Sequence, residues 1–148
     1  MASSKIIIVD DHPLFRGALR QALSQAFEQV AINEAGSLDE LTSALTADAN
    51  VDLILLDLSM PGVQGLSGLL YLRAQHPEIP VIIVSASEEP ATIRRAIEFG
   101  ASGYVPKSQP VENIREAVRT AACGRRRTST CRRARRPATT ISWRGCRR

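Results

Sequence analysis

The chain has 148 residues, 44% of them apolar but only 4% aromatic, which suits one domain with a core of Ile, Leu, Val and Ala; nothing in it points to a second folded unit. The net charge of +4 is a composite, because residues 1–123 carry 15 acidic against 9 basic side chains, a net of −6, while the last 25 residues carry ten arginines and no acid. Apolar runs of four to five residues are too short to cross a membrane and MASSK leads straight into the first of them, so a cytoplasmic protein without a signal peptide is expected.

The first run, Ile6 to Val9, ends in the acidic pair Asp10-Asp11. From Pro13 to Phe27, Leu14, Phe15, Ala18, Leu19, Ala22, Leu23, Ala26 and Phe27 recur at helical spacing, and Pro13 fits the first turn. A short strand over Ala31 to Ala35 follows, and Ser37-Leu-Asp-Glu40 reads as a capping box opening a helix to Ala47. Asp52 leads into the strand Leu53 to Leu56, which ends at Asp57 just before the Pro61-Gly62 turn. A helix over Leu66 to Gln75 stops ahead of His76-Pro77, since the residue before proline is pushed out of helical geometry. The strand Val81 to Val84 ends in Ser85. Pro90 opens a helix to Phe99 that Gly100 closes in a left-handed conformation, and the strand Gly103 to Val105 leads to Lys107. The last helix covers Val111 to Ala122, with Gly124 placed to end it.

Strands and helices in strict alternation predict an α/β fold: a five-stranded parallel sheet in the order 2-1-3-4-5, with five helices on both faces and a crevice between strands one and three. Each strand runs into a polar residue, so the carboxyl edge gathers Asp10, Asp11, Asp57, Ser85 and Lys107. Three acids, a hydroxyl and a lysine make a site for a divalent cation and a phosphoryl group. Singly, each has a plainer reading: Asp57 as a strand-end cap, Asp10 or Asp11 as a helix cap, Ser85 as a turn hydroxyl, Tyr104 as packing. It is their combination that favours a phosphate-accepting switch. His12 and His76 have no partner pattern for catalysis or metal binding and read as surface or structural residues. Cys123, Cys131 and Cys146, at gaps of 8 and 15, match neither a zinc-ligand spacing nor a disulfide framework.

IIIVDDHPLFR, LILLDLSMPGVQG, VIIVSAS and GYVPKS, four blocks in register, make residues 5 to about 122 resemble a receiver domain of two-component response regulators, of flavodoxin-like architecture. The DDHPLFR and GYVPKS wording resembles the LuxR/NarL-type subgroup, whose receivers precede a helix-turn-helix. The resemblance implies that Asp57 is the phosphoacceptor and that Asp10, Asp11, Asp57 and the backbone carbonyl of Ser59 hold Mg2+, Asp10 largely through water. Lys107 and Ser85 then serve the phosphoryl group, Ser85 and Tyr104 act as the switch, and Ser59 and Ser87 flank the site and tune dephosphorylation. It also implies a sensor histidine kinase or phosphotransfer protein as donor, and a homodimer on phosphorylation as a further partner. Many receivers carry proline after the lysine, whereas here Ser108 follows Lys107 and Pro106 precedes it, so no cis peptide is expected there.

A carboxylate attacks a phosphoramidate once metal and lysine neutralise the phosphoryl oxygens and align the groups. Mg2+ suits the hard oxygen ligands, and bound Mg2+ should stabilise the fold while chelators loosen it. Without metal, like-charge repulsion among the aspartates should raise at least one pKa. Phosphorylation should draw Ser85 inward and let Tyr104 turn from an exposed to a buried rotamer, changing the surface of helix four, strand five and helix five. An aspartate-nucleophile phosphatase would want an acid where Ser59 stands, and a flavin-binding protein would not place Asp10-Asp11-His12-Pro13 in its phosphate loop. The receiver is assigned to residues 4–123. Residues 124–148 are too short for a helix-turn-helix output domain. They read either as a disordered arm that binds nucleic acid through phosphate contacts or, the favoured reading, as out-of-frame sequence.

Overall fold

The computed structural model describes residues 4–60 and 65–125. Five strands and five helices alternate: β1 (Ser4–Val9), α1 (Pro13–Ala26), β2 (Val30–Ala35), α2 (Leu38–Ala47), β3 (Leu53–Leu56), α3 (Ser67–Gln75), β4 (Val81–Ser85), α4 (Pro90–Glu98), β5 (Gly103–Pro106) and α5 (Val111–Arg125). The strands form one parallel sheet in the order β2-β1-β3-β4-β5, as the alternation predicts.

Successive side chains on a strand point to opposite faces, and both faces here are covered, so the central strands are apolar throughout. Ile7, Val9, Ile54, Leu56, Val81, Ile83 and Tyr104 pack on one side with Leu41 and Leu45 of α2, Leu69 and Leu72 of α3, and Ile93 and Ala96 of α4. Ile6, Ile8, Leu53, Leu55, Ile82, Val84 and Val105 pack on the other with Leu19 and Leu23 of α1 and Ile114 and Val118 of α5.

Local chemistry sets the element ends. The Ser37 hydroxyl caps α2 by accepting from the Glu40 N–H at 3.2 Å, but the Glu40 carboxylate accepts from Gly36 N at 2.7 Å, one residue upstream of the partner a regular capping box uses. Gly100 has φ +102° after α4, a backbone conformation that calls for glycine, and a Cβ there would also lie 2.9 Å from Arg73 Nε, so that flexible side chain would have to shift. Two differences from the sequence reading stand out. Neither Asp10 nor Asp11 caps α1: its N-cap is His12, and Asp10 Oδ1 accepts from the His12 N–H at 2.8 Å in a turn ahead of the helix. The last helix passes Gly124 and runs to Arg125, since glycine weakens a helix without forbidding it.

Candidate functional site

The site is built on the last rungs of the sheet. Asp10 N donates to Ala35 O at 3.0 Å, Asp57 N to Val9 O at 2.9 Å, and Lys107 N to Ser85 O at 2.7 Å, so backbone bonds to a neighbouring strand fix the three residues where the ladders end. Their side chains meet there. Lys107 Nζ lies 2.8 Å from Asp10 Oδ2 and 3.2 Å from Asp57 Oδ2, with Asp10 2% and Asp57 1% exposed. The other Asp57 oxygen accepts from Ser59 N at 3.1 Å. Asp11 completes the acidic group, and its Oδ1 is buried without a hydrogen-bond donor, although His12 Nδ1 stands 3.0 Å away.

Burial pushes the Asp57 carboxyl above its ordinary value; the Ser59 N–H and the Lys107 ammonium offset part of the rise, and the Asp10 charge adds to it. Repulsion between acids, which the sequence suggests as the cause, is thus secondary to desolvation. Burial acts upward on Asp10 too, but the Lys107 ammonium and the His12 donors outweigh it and hold that carboxyl below the usual range.

One ligand atom from each of Asp10, Asp11, His12 and Asp57 lies within 4.8 Å of all the others. An orphaned carboxylate oxygen among anionic oxygen donors fits a small hard cation such as Mg2+. His12, whose sequence position suggests a surface or structural role, therefore borders the acidic group, with Nδ1 3.0 Å from Asp10 Oδ1 and 4.0 Å from Asp57 Oδ2. Arg16 and Phe15, which lie in the DDHPLFR block without a role assigned to them there, are also at the site. Arg16 donates to the Asp10 carbonyl at 2.7 Å, its Nε lying 3.6 Å from Glu34, and the Phe15 ring lies under the Lys107 ammonium. The signal for all three was their place in the first turn after Asp11, but helical spacing assigns Phe15 to the core and leaves the reach of the others undefined.

The remaining predicted residues form a second layer. Ser85 is fully buried, and its hydroxyl accepts from Ser87 N at 3.2 Å. The Ser87 hydroxyl accepts from Glu89 N at 3.4 Å, within its own loop. Tyr104 is 2% exposed and donates its hydroxyl to Ser87 O at 2.6 Å, so it stands at the buried end of the motion expected for it. Ser108 donates its hydroxyl to Glu88, tying the loop after β5 to the loop after β4. The Ser59 side chain is exposed. Pro61 and Gly62 of the turn lie outside the described residues, as do residues 126–148 of the arginine-rich segment.

The family description "response regulator receiver domain" matches residues 6–119. The glycerol metabolism activator of Pseudomonas putida is 43% identical over 114 residues, which cover 77% of this chain and 52% of that protein. The nitrate/nitrite response regulator protein NarL of Escherichia coli strain K12 is 34% identical over 119 residues, 80% of this chain and 55% of the relative. Among solved structures, the signal receiver domain of a NarL response regulator from Mycobacterium tuberculosis superposes with a TM-score of 0.74 at 31% identity, covering 84% of this chain and 99% of that one. A LuxR family DNA-binding response regulator from Silicibacter pomeroyi gives a TM-score of 0.73 at 34% identity, covering 82% and 93%. The chain spans about half the length of the curated relatives it matches.

Proposed function

Because the chain belongs to the response regulator receiver family, we propose that it accepts a phosphoryl group on Asp57 from a sensor histidine kinase or phosphotransfer protein and relays the change to a transcriptional output. The supporting observation is the Asp57 carboxylate, buried at a strand end, with the Lys107 ammonium 3.2 Å from one oxygen and Asp10 and Asp11 beside it. Response regulators are signalling proteins rather than conventional enzymes, and here the chemistry is self-catalysed transfer followed by autodephosphorylation.

An Asp57 oxygen attacks the phosphorus of the donor phosphohistidine. The new P–O bond forms as the P–N bond breaks, and the donor imidazole keeps the electron pair and takes up a proton. Lys107 balances charge on the phosphoryl oxygens and Ser85 offers its hydroxyl to one of them. Asp10, Asp11, Asp57 and the Ser59 carbonyl would hold Mg2+, which when bound supplies charge neutralisation at the phosphoryl oxygens. Ser59 and Ser87 flank the site and tune how readily water reaches the acyl phosphate. Because Tyr104 and Ser85 share the β4–α4 loop through Ser87, drawing Ser85 toward the phosphoryl group shifts the population of Tyr104 rotamers and the α4-β5-α5 face.

Residues 4–123 form the receiver and 124–148 a tail, in a cytoplasmic protein that pairs when phosphorylated; DNA is reached through an output domain. Intact mass after incubation with acetyl phosphate tests this. One Mg2+-dependent phosphoryl adduct is expected, absent in Asp57→Asn, and no adduct from a folded protein would refute it. The alternative, nucleic-acid binding by the arginine-rich tail alone, predicts binding that falls steeply with salt and vanishes on deleting residues 124–148, neither of which would touch phosphoacceptance.

A further inference from the structure

Phe15 occupies the first turn of α1. Its ring packs half-buried against the core formed by Leu19, Leu23, Ile114 and Val118, and the Lys107 ammonium stands 4.6 Å from the ring centroid. The same ammonium lies 2.8 Å from Asp10 Oδ2 and 3.2 Å from Asp57 Oδ2. An aromatic face attracts a cation through its quadrupole, and the attraction grows where water is excluded; the Lys107 side chain is 15% exposed.

These three neighbours differ in what happens to them during phosphoryl transfer. Asp57 is the nucleophile and gives up its free carboxylate as the P–O bond forms, and Asp10 belongs to the acidic group that would hold Mg2+, so neither ionic partner is the same before and after transfer. The ring neither ionises nor reacts. A lysine with a flexible four-carbon stem, held only by two carboxylates, would settle between them and neutralise the nucleophile. A cation–π contact is broad and weakly directional, so it keeps the ammonium over the site while one ionic partner is exchanged for another.

We propose that Phe15 is a positioning residue for Lys107: its ring face holds the ammonium beside Asp57 so that the charge passes from the Asp57 carboxylate to a phosphoryl oxygen without leaving the site. This rests on the reading of Asp57 as phosphoacceptor. The helical register that lays Phe15 half-buried against the α1/α5 core seats the ring beside Lys107, and a leucine at 15 would pack on the same core without a negative face.

The test uses the full chain carrying phenylalanine analogues with one, two or three ring fluorines at position 15, together with Phe15→Leu. Fluorination drains the face potential while nearly keeping shape, so melting temperatures across the series should agree within about 2 °C. The rate of Mg2+-dependent phosphoryl uptake from acetyl phosphate should fall stepwise, about tenfold from phenylalanine to the trifluoro analogue. In the native protein the Lys107 Cε protons should show an upfield ring-current shift in NMR spectra, lost in Phe15→Leu. A flat rate across the fluorinated series would overturn the proposal and leave Phe15 as core packing only. Unshifted Lys107 protons would overturn it at the level of the contact, whatever the phosphoryl chemistry does. A native protein that takes no phosphoryl group, like Asp57→Asn, while the Lys107 shift is present, would sink the Asp57 reading and the positioning role with it, and the shift marks that failure as one of the acceptor rather than of the ring.

Discussion

Asp57 sits at the end of β3 with Lys107 on one oxygen and the Ser59 N–H on the other, yet its carboxyl is pushed upward because burial outweighs both donors. A carboxyl whose folded value lies above its unfolded one favours the fold below the unfolded value and loses that contribution as pH rises through the folded value. Above its folded value the ionised Asp57 therefore weighs against the fold. Asp57→Asn should raise the stability of the protein in chelator by about 1 kcal/mol while abolishing phosphoryl uptake, the usual trade between a charged site and stability. Urea denaturation at pH 7 checks it, and an unchanged or lower midpoint would contradict the argument. Asp10, Asp57 and Lys107 were legible in the sequence because each follows directly on an apolar strand, and parallel strands deliver their ends to one edge. His12, Phe15 and Arg16 were not, because their contribution depends on how the first turn of α1 is rotated above the sheet, which residue spacing leaves open.

At the scale of elements, α2 shows what sequence reasoning reaches. The Ser37 cap was readable from S-x-x-E, and Ser37→Ala should cost about 1 kcal/mol through the loss of one acceptor at the helix start, with phosphoryl uptake unchanged. Its other end was not readable. The C-cap residue Asp48 meets Lys5 of β1, a partner 43 positions away, so only the folded sheet brings the charges together. The Lys5 ammonium and the Asn50 N–H hold the Asp48 carboxyl below its ordinary value. A lowered folded value means that the contribution is present above the unfolded value and is lost as pH falls through the folded one. The melting-temperature gap between the native protein and Asp48→Asn should therefore be small but measurable at pH 7 and close as acid takes the pH down through the lowered Asp48 value. A gap that persists in acid would show that packing, not charge, separates them. The misplaced end of α5 has the same origin as the unread Asp48 contact. Glycine at 124 signals a stop only where the backbone turns left-handed, and here the helix continues past it to Arg125.

For the molecule as a whole, the acidic group links ligand binding to folding. A cation that binds only the folded site stabilises it by mass action, about 2.7 kcal/mol at a concentration one hundred times its dissociation constant. Saturating Mg2+ should thus raise the melting temperature by several degrees and chelator should reverse it, with the shift largely lost in Asp11→Asn. An equal shift in that variant would place the cation elsewhere. The fold itself was readable almost entirely, because strands buried on both faces leave continuous apolar runs that helical segments separate cleanly.

Among the described residues the two sides of the sheet share no buried core residue: Tyr104 belongs to the cluster that includes α2, α3 and α4, while its neighbour Val105 belongs to the one that includes α1 and α5. The two layers are nonetheless joined at β5, where Tyr104 also bonds to Ser87 of the loop that carries Ser85. A side chain changed on β5 meets one helical layer while its chain neighbour meets the other, so this strand is the seam along which the two halves of the molecule feel each other.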